Sequence, residues 1–315
     1  MNRITPASLA GANGYRTKRR VPDQRGIQDI RNLPDTEFDG LWDAVILPTH
    51  TKDRLLSQAV LNFSARARLQ EVSMPLHGII LLVGPPGTGK TSVARGLASR
   101  TAASLNGSIT YIEVEPHALA SAALGKSQQA VSHLLGTVIA EEASSGPCIV
   151  LLDEVETLAA DRRKMSLEAN PVDVHRATDA VLAQMDQLAA NHPQLLFVAT
   201  SNFAGAIDDA FFSRADLVVT IDLPSPEACR EILFDSLDRL ARVYPKIGRI
   251  KTDPAIERAA KRCVGLDGRR IRKAVLSSLA HSKQIAASPD LLTADAVLAA
   301  IEFAQAERAS VEDKR

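Results

Sequence analysis

Five short apolar runs limit the folds open to this chain. They are IILLV (79–83), ITYIEV (109–114), CIVLL (148–152), LLFVAT (195–200) and LVVTIDL (217–223), with helical patterns between them. Short apolar runs alternating with helices predict a parallel sheet covered on both faces. After Pro224 and Pro226 the strand signal stops, and only helical periodicity continues to about Ala306, broken by the Gly-containing VGLDGR at 264–269. The expected architecture is therefore α/β: a parallel five-stranded sheet between helices, followed by an all-helical domain. The expected boundaries are a basic arm at 1–31, the α/β domain at 32–223, the helical domain at 224–306 and a polar tail at 307–315.

Charge distribution excludes some partners. The formal net charge is +0, so the chain as a whole exerts no attraction on nucleic acid or an anionic membrane. The first 31 residues nevertheless hold seven Lys/Arg against two Asp/Glu and lack an apolar period, which predicts a solvated, poorly ordered arm. No apolar stretch follows those charges as in a secretion signal, and no apolar run reaches the length of about eighteen residues needed for a membrane span. Cys148, Cys229 and Cys263 lie far apart without metal-ligand spacing, and read as unpaired thiols of a reducing cytoplasm. His117 and His133 have no ligand partners at useful spacing either.

The chemistry begins where the first apolar run ends. Gly84, Pro85, Pro86, Gly87, Thr88, Gly89, Lys90, Thr91 and Ser92 form a phosphate-binding loop between a strand and a helix. Its glycines allow backbone N–H groups to turn toward a β-phosphate at the positive end of the helix. Lys90 is expected to reach the β- and γ-phosphates of ATP, and Thr91 to offer its hydroxyl to Mg²⁺. Asp153 and Glu154 follow the strand CIVLL, at the edge where such sheets bind ligands. Asp153 is expected to hold the Mg²⁺ shell, and Glu154 to polarise the attacking water. Asn202, at the tip of the next apolar run, is placed to orient that water. Val45 and Ile46, after the sole tryptophan, Trp42, are candidates to flank the adenine.

The phosphate loop, the acidic pair, TSN after a strand and the helical second domain together resemble the AAA+ ATPases. That resemblance implies two further site residues. Arg214 in FFSRAD matches the superfamily's arginine finger, and Arg269, after Gly268 in GLDGRRIRK, matches the lid arginine called sensor 2. EFDGLWD (37–43), LLDEVETLAADR (151–162) and AVLAQMDQL (180–188) narrow the resemblance to the pachytene checkpoint protein 2 / thyroid receptor-interacting protein 13 ATPases, over nearly all of residues 32–306. Such proteins are hexamers that remodel HORMA-domain proteins by pulling a terminal segment through a central pore. With only a short arm before the core, the chain resembles the bacterial form, which accompanies a HORMA protein and a cyclic-oligonucleotide synthase in antiphage defence. Where that family usually carries an aromatic pair in the pore loop, this chain has Ala123 and Leu124, followed by Gly125. The polar stretch 162–172 is expected to be a second pore loop.

The residues leave other functions open. A general AAA+ unfoldase is one alternative. A DNA-handling ATPase of the clamp-loader or initiator type would need a basic face or an added DNA-binding domain, and neither is visible. A non-hydrolysing nucleotide switch is opposed by the presence of Lys90, Asp153, Glu154, Asn202 and Arg214.

Overall fold

The computed structural model describes residues 19–20, 26–74, 76–115, 134–156, 182–202 and 209–312. Their strands, in chain order, are β1 (Arg19–Arg20), β2 (Ile27–Leu33), β3 (Ile79–Val83), β4 (Ile109–Val114), β5 (Cys148–Leu152), β6 (Leu195–Ser201) and β7 (Leu217–Thr220). They form one sheet in the order β1-β2-β4-β5-β6-β3-β7. The expected apolar runs supply β3 to β7, which pair in parallel; Leu82 lies opposite Thr200, and Leu152 opposite Ala199. Residues of β3, β5 and β6 are buried throughout, so no polar face interrupts their apolar sequence.

Two antiparallel strands extend the sheet beyond the five expected. β2 pairs with β4, and β1 pairs with β2. Residues 27–31 therefore belong to the sheet and not to the expected arm. Their charges disguised them. Asp29 and Arg31 are buried yet satisfy each other, with Arg31 Nε donating to Asp29 Oδ2 at 2.8 Å. Arg31 Nη1 also donates to Asp35 at 3.1 Å and to Glu37 at 3.0 Å, and the guanidinium lies 4.3 Å from the centre of the Phe38 ring. A paired charge can occupy a strand interior that an unpaired one cannot.

Alternating side chains of the parallel strands serve two cores. Ile80, Leu82, Ile149 and Leu151 pack against α1 (Thr36–Ala44), α2 (Thr49–Glu71) and α3 (Lys90–Ser104), where Phe38, Trp42, Leu55 and Leu97 meet them. Ile79, Leu81, Val150 and Phe197 face a π-helical turn at Leu134–Ile139 running into α4 (Ala140–Ser145), and α5 (residues 182–191). Each fully buried large apolar side chain contributes on the order of 1.5–3 kcal/mol. The contact of α1 with α3 is close enough to require glycine. A Cβ on Gly96 would sit 2.6 Å from Trp42 Cβ and 2.8 Å from the Trp42 backbone.

Arg66 ties α2 to the start of the sheet. It is 1% exposed and donates to the carbonyls of Leu76, His77, Ala189 and Leu195 at 2.6–2.9 Å. Asp216 fixes the same end of β3 by accepting from the backbone N–H groups of His77, Gly78 and Ile79. It follows α6 (Asp209–Phe212) and Arg214.

Beyond β7 the described chain is helical: α7 (Pro226–Val243), α8 (Pro254–Arg262), α9 (Gly268–Ser278), α10 (Lys283–Ala287) and α11 (Ala294–Glu312), with 3₁₀ turns between. Leu233, Leu237, Ile256, Ile271, Val275 and Val297 form a separate core. Side chains of Ser225, Asp253 and Asp267 cap α7, α8 and α9 by accepting from their first-turn N–H groups. α11 continues to Glu312, through residues expected to form a polar tail. Its last turns, QAERASVE, favour helix by propensity while offering no apolar face to periodicity. Among the described residues no helix is long and apolar enough to cross a membrane.

Candidate nucleotide site

The C-terminal ends of the parallel strands open on a cleft of about 1180 Å³ walled by both domains. The phosphate loop from Pro86 to Ser92 forms its floor, Asp153, Glu154 and Asn202 one side, and Gly268 and Arg269 of the helical domain another. Val45 and Ile46, in the segment joining α1 to α2, line it too. Gly84 and Pro85 do not line it. They lie behind Lys90, whose Nζ donates to both of their carbonyls at 2.8 Å. Gly87 adopts φ 83°, and a Cβ there would lie 2.4 Å from Asp267 Oδ1, so the loop is shaped to receive the cap of α9.

Polar groups from several strand ends meet around Lys90. Its Nζ donates to Asn202 Oδ1 at 2.8 Å, and Asn202 Nδ2 donates to Glu154 Oε1 at 3.3 Å. Because an ammonium can only donate, the amide must present oxygen to Lys90 and nitrogen to Glu154. Burial holds the Lys90 pKa below its ordinary value against the opposing negative charges of Glu156, Asp153 and Glu154, while the charge of Arg269 adds to the lowering. The Thr91 hydroxyl donates to the Asp153 carboxylate at 2.9 Å. Thr200 also donates to Asp153 and accepts from the Glu154 N–H at 3.1 Å. Glu154 itself adopts φ 53°, a left-handed backbone uncommon outside glycine, and Val155 N–H returns to Thr200 O at 2.9 Å. The bend turns the chain sharply at the strand end, leaving the Glu154 side chain on the cleft wall.

The arginines lie apart. Arg269 N–H approaches Gly87 O at 3.4 Å, and its residue lines the cleft. Arg214 lines a different pocket, of about 400 Å³, with Arg66, His77 and Asp186. Ala123, Leu124, Gly125, His117, His133 and the stretch 162–172 lie outside the described residues.

Residues 80–223 match the family described as AAA, ATPase family associated with various cellular activities. CD-NTase-associated protein 6 of Pseudomonas aeruginosa is 53% identical over 285 residues, covering 90% of this chain and 94% of that protein. The chain belongs to the AAA+ ATPases of the Trip13 and pachytene checkpoint protein 2 family. A pachytene checkpoint protein 2 homolog of Oryza sativa subsp. indica is 34% identical over 312 residues; the alignment covers 87% of this chain and 65% of that longer relative. In fold, the ATPase is similar to a chain of the E. coli MS115-1 HORMA:CdnC:Trip13 complex, with TM-score 0.71 at 19% identity, covering 88% of this chain and 95% of that one.

The ATPase binds nucleotide, and its cleft suits one: ammonium and guanidinium groups, a helix N-terminus, and apolar Val45 and Ile46. Sequence reasoning gave no role to three residues here. Thr200 looks like an ordinary strand threonine until the parallel register brings β6 beside β5, where its hydroxyl reaches Asp153. Arg272 joins the domains, donating to Asp235 at 2.8 Å and to the carbonyl of Ala44 at 2.6 Å. Only the three-dimensional meeting of α1 with α9 reveals it. Glu156, buried behind Asn202, is the third.

Proposed function

We propose that this ATPase works as a hexamer and uses hydrolysis to open or disassemble complexes of a HORMA-domain protein in cyclic-oligonucleotide antiphage signalling. The observation that carries the reading is the 53% identity, across nearly the full length of both chains, to a protein named for association with a CD-NTase. A Trip13 chain of similar fold sits in a complex with HORMA and CdnC. The substrate is then a HORMA-domain protein, alone or bound to its cyclic-oligonucleotide synthase, and the site of action the cytoplasm. Free, buried Cys148, Cys229 and Cys263 agree with a reducing compartment.

In this reading Lys90 binds the β- and γ-phosphates and the loop N–H groups surround them. Thr91 and Asp153 would hold Mg²⁺; their hydroxyl and carboxylate already face each other, the oxygen set a hard cation prefers. When bound, that ion supplies charge neutralisation on the phosphate oxygens. Glu154 accepts the proton of the attacking water, and Asn202 orients that water. Asn202 suits the task because Lys90 and Glu154 fix both ends of its amide. Arg269 reports the phosphate to the helical domain, whereas Arg214 completes the site of a neighbouring subunit. Leu124, with Ala123 and Gly125, grips the substrate chain in the pore.

The deciding experiment incubates the ATPase with a purified HORMA-domain protein encoded in the same genome and follows its open and closed forms by native gel. ATP with wild-type enzyme should convert the closed form, and Glu154→Gln should not. Leu124→Asp should lose conversion but keep basal turnover within about twofold. Absence of any ATP-dependent change with the wild type would refute the HORMA reading while leaving the ATPase assignment in place.

A further inference from the structure

Glu156 stands two residues after Glu154 and takes no part in the chemistry above. Its position is unusual for a carboxylate. It is 7% exposed, and Oε1 accepts from the backbone N–H of Asn202 at 3.0 Å. Among the described residues Oε2 has no hydrogen-bond partner although it too is buried. A carboxylate kept from water with one oxygen unsatisfied costs free energy, and a fold retains such a group only where something else is gained.

The hydrogen bond identifies the gain. Asn202 is the first residue beyond β6, and residues 203–208 after it are not described. Its side chain must span Lys90 and Glu154, at 2.8 and 3.3 Å, so a small backbone shift would break one contact or both. The last backbone bond at the tip of β6 runs from Gly84 N–H to Ser201 O at 3.2 Å, and among the described residues no backbone partner holds Asn202 itself. Glu156 supplies the missing constraint from the neighbouring strand's turn.

We propose that Glu156 is a positioning residue for hydrolysis, holding the backbone of Asn202 so that its amide bridges Lys90 and Glu154. It acts through the location of its acceptor oxygen and touches neither nucleotide nor water. The inference rests on the reading of Asn202 as the residue that orients the attacking water.

The test compares turnover, KM and equilibrium binding of a fluorescent ATP analogue for Glu156→Ala, Glu156→Gln, Glu156→Asp, Asn202→Ala and the Glu156→Ala/Asn202→Ala double variant. Glu156→Ala should lose about tenfold or more in kcat while nucleotide affinity stays within about threefold. Glu156→Gln keeps an acceptor in place without the charge, and should recover to within about threefold of wild type. Glu156→Asp keeps the charge but withdraws the acceptor, and should remain slow. The double variant should be no slower than Asn202→Ala, since two residues acting as a unit do not add. Wild-type turnover in Glu156→Ala, a slow Gln variant beside a fast Asp variant, or multiplied losses in the double variant would each overturn the inference. If Asn202→Ala alone keeps wild-type turnover, the reading of Asn202 fails first and takes the inference with it. A binding-competent Glu156→Gln protein serves as the folded reference should the alanine variant be unstable.

Discussion

Arg214 Nε lies 3.0 and 2.9 Å from the two carboxylate oxygens of Asp186, on a surface pocket distinct from the cleft that holds Lys90. Under the proposed function, a guanidinium held there would serve turnover at another copy's site. Arg214→Ala should bind ATP normally yet hydrolyse it about 10³-fold more slowly, the effect expected of a finger that stabilises transition-state charge. Mixed with Lys90→Ala protein under subunit exchange, it should regain activity, because each variant supplies what the other lacks. Turnover against mixing ratio is the readout, and a flat line with exchange confirmed would exclude a shared site.

Binding and hydrolysis should separate at the strand ends. Lys90→Ala removes the ammonium that lies between the loop carbonyls and Asn202, so ATP binding should fall below detection at micromolar nucleotide. Glu154→Gln keeps the shape and the contact with Asn202 but removes the base, and should hold ATP without splitting it. Filter binding and phosphate release measure the two steps independently. Wild-type phosphate release by Glu154→Gln would assign the base elsewhere.

The contact between α1 and α3 gives a stability prediction. Gly96→Ala forces a methyl group against Trp42, where backbone atoms stand 2.8 Å from it and cannot yield as a flexible side-chain end would. Overpacking of this kind costs about 1–3 kcal/mol, and each kcal/mol lowers Tm by about 2–4 °C in a domain of moderate size. Thermal unfolding followed through the fluorescence of Trp42, the sole tryptophan, reports on the site itself. An unchanged Tm would mean that α1 sits further from α3 in solution.

The cysteines give a pH prediction. Burial favours the neutral thiol, raising Cys148 and Cys229 above the ordinary range and Cys263 to about 12. Alkylation requires thiolate, which appears only as pH approaches the raised pKa. Iodoacetamide at pH 8 should therefore leave all three unmodified in the native protein and label all three in guanidinium, as counted by intact mass. Labelling without denaturant at pH 8 would contradict the burial.

Much of this molecule was legible in the chain because its central strands are buried on both faces. IILLV, ITYIEV and CIVLL mark their strands with the observed limits. The phosphate loop was equally plain, since strand, glycines and lysine must be contiguous to surround a phosphate. What escaped was written in residues that pair across the fold. β2 hid because Arg31 and Asp29 cancel each other's charge inside it, and no one-dimensional pattern shows that pairing. The contacts of Thr200 and Glu156 hid for a related reason: each forms only when parallel pairing lays β6 beside β5. The place of Arg214 outside its own chain's cleft followed from the family resemblance and from nothing local in FFSRAD.

The bond from Arg272 to the carbonyl of Ala44 invites a direct perturbation. It is one of the ties by which α9 holds the cleft's far wall against the end of α1. Arg272→Met keeps much of the side-chain bulk and removes the charged hydrogen bonds, which in this partly exposed position are worth about 1 kcal/mol each. ATP affinity should fall about tenfold, with a smaller change in kcat. Equal affinity would show that the wall is held without it.

Two domains walling one cleft make nucleotide occupancy and the angle between those domains a single equilibrium, read from opposite ends. Whatever turns α9 away from Gly87 must weaken the hold on ATP, by the same factor with which bound ATP resists the turning. Each subunit is thus a strain gauge as well as an engine. Under the proposed function, resistance from a substrate would register as a lowered affinity for nucleotide, with no separate sensor of load.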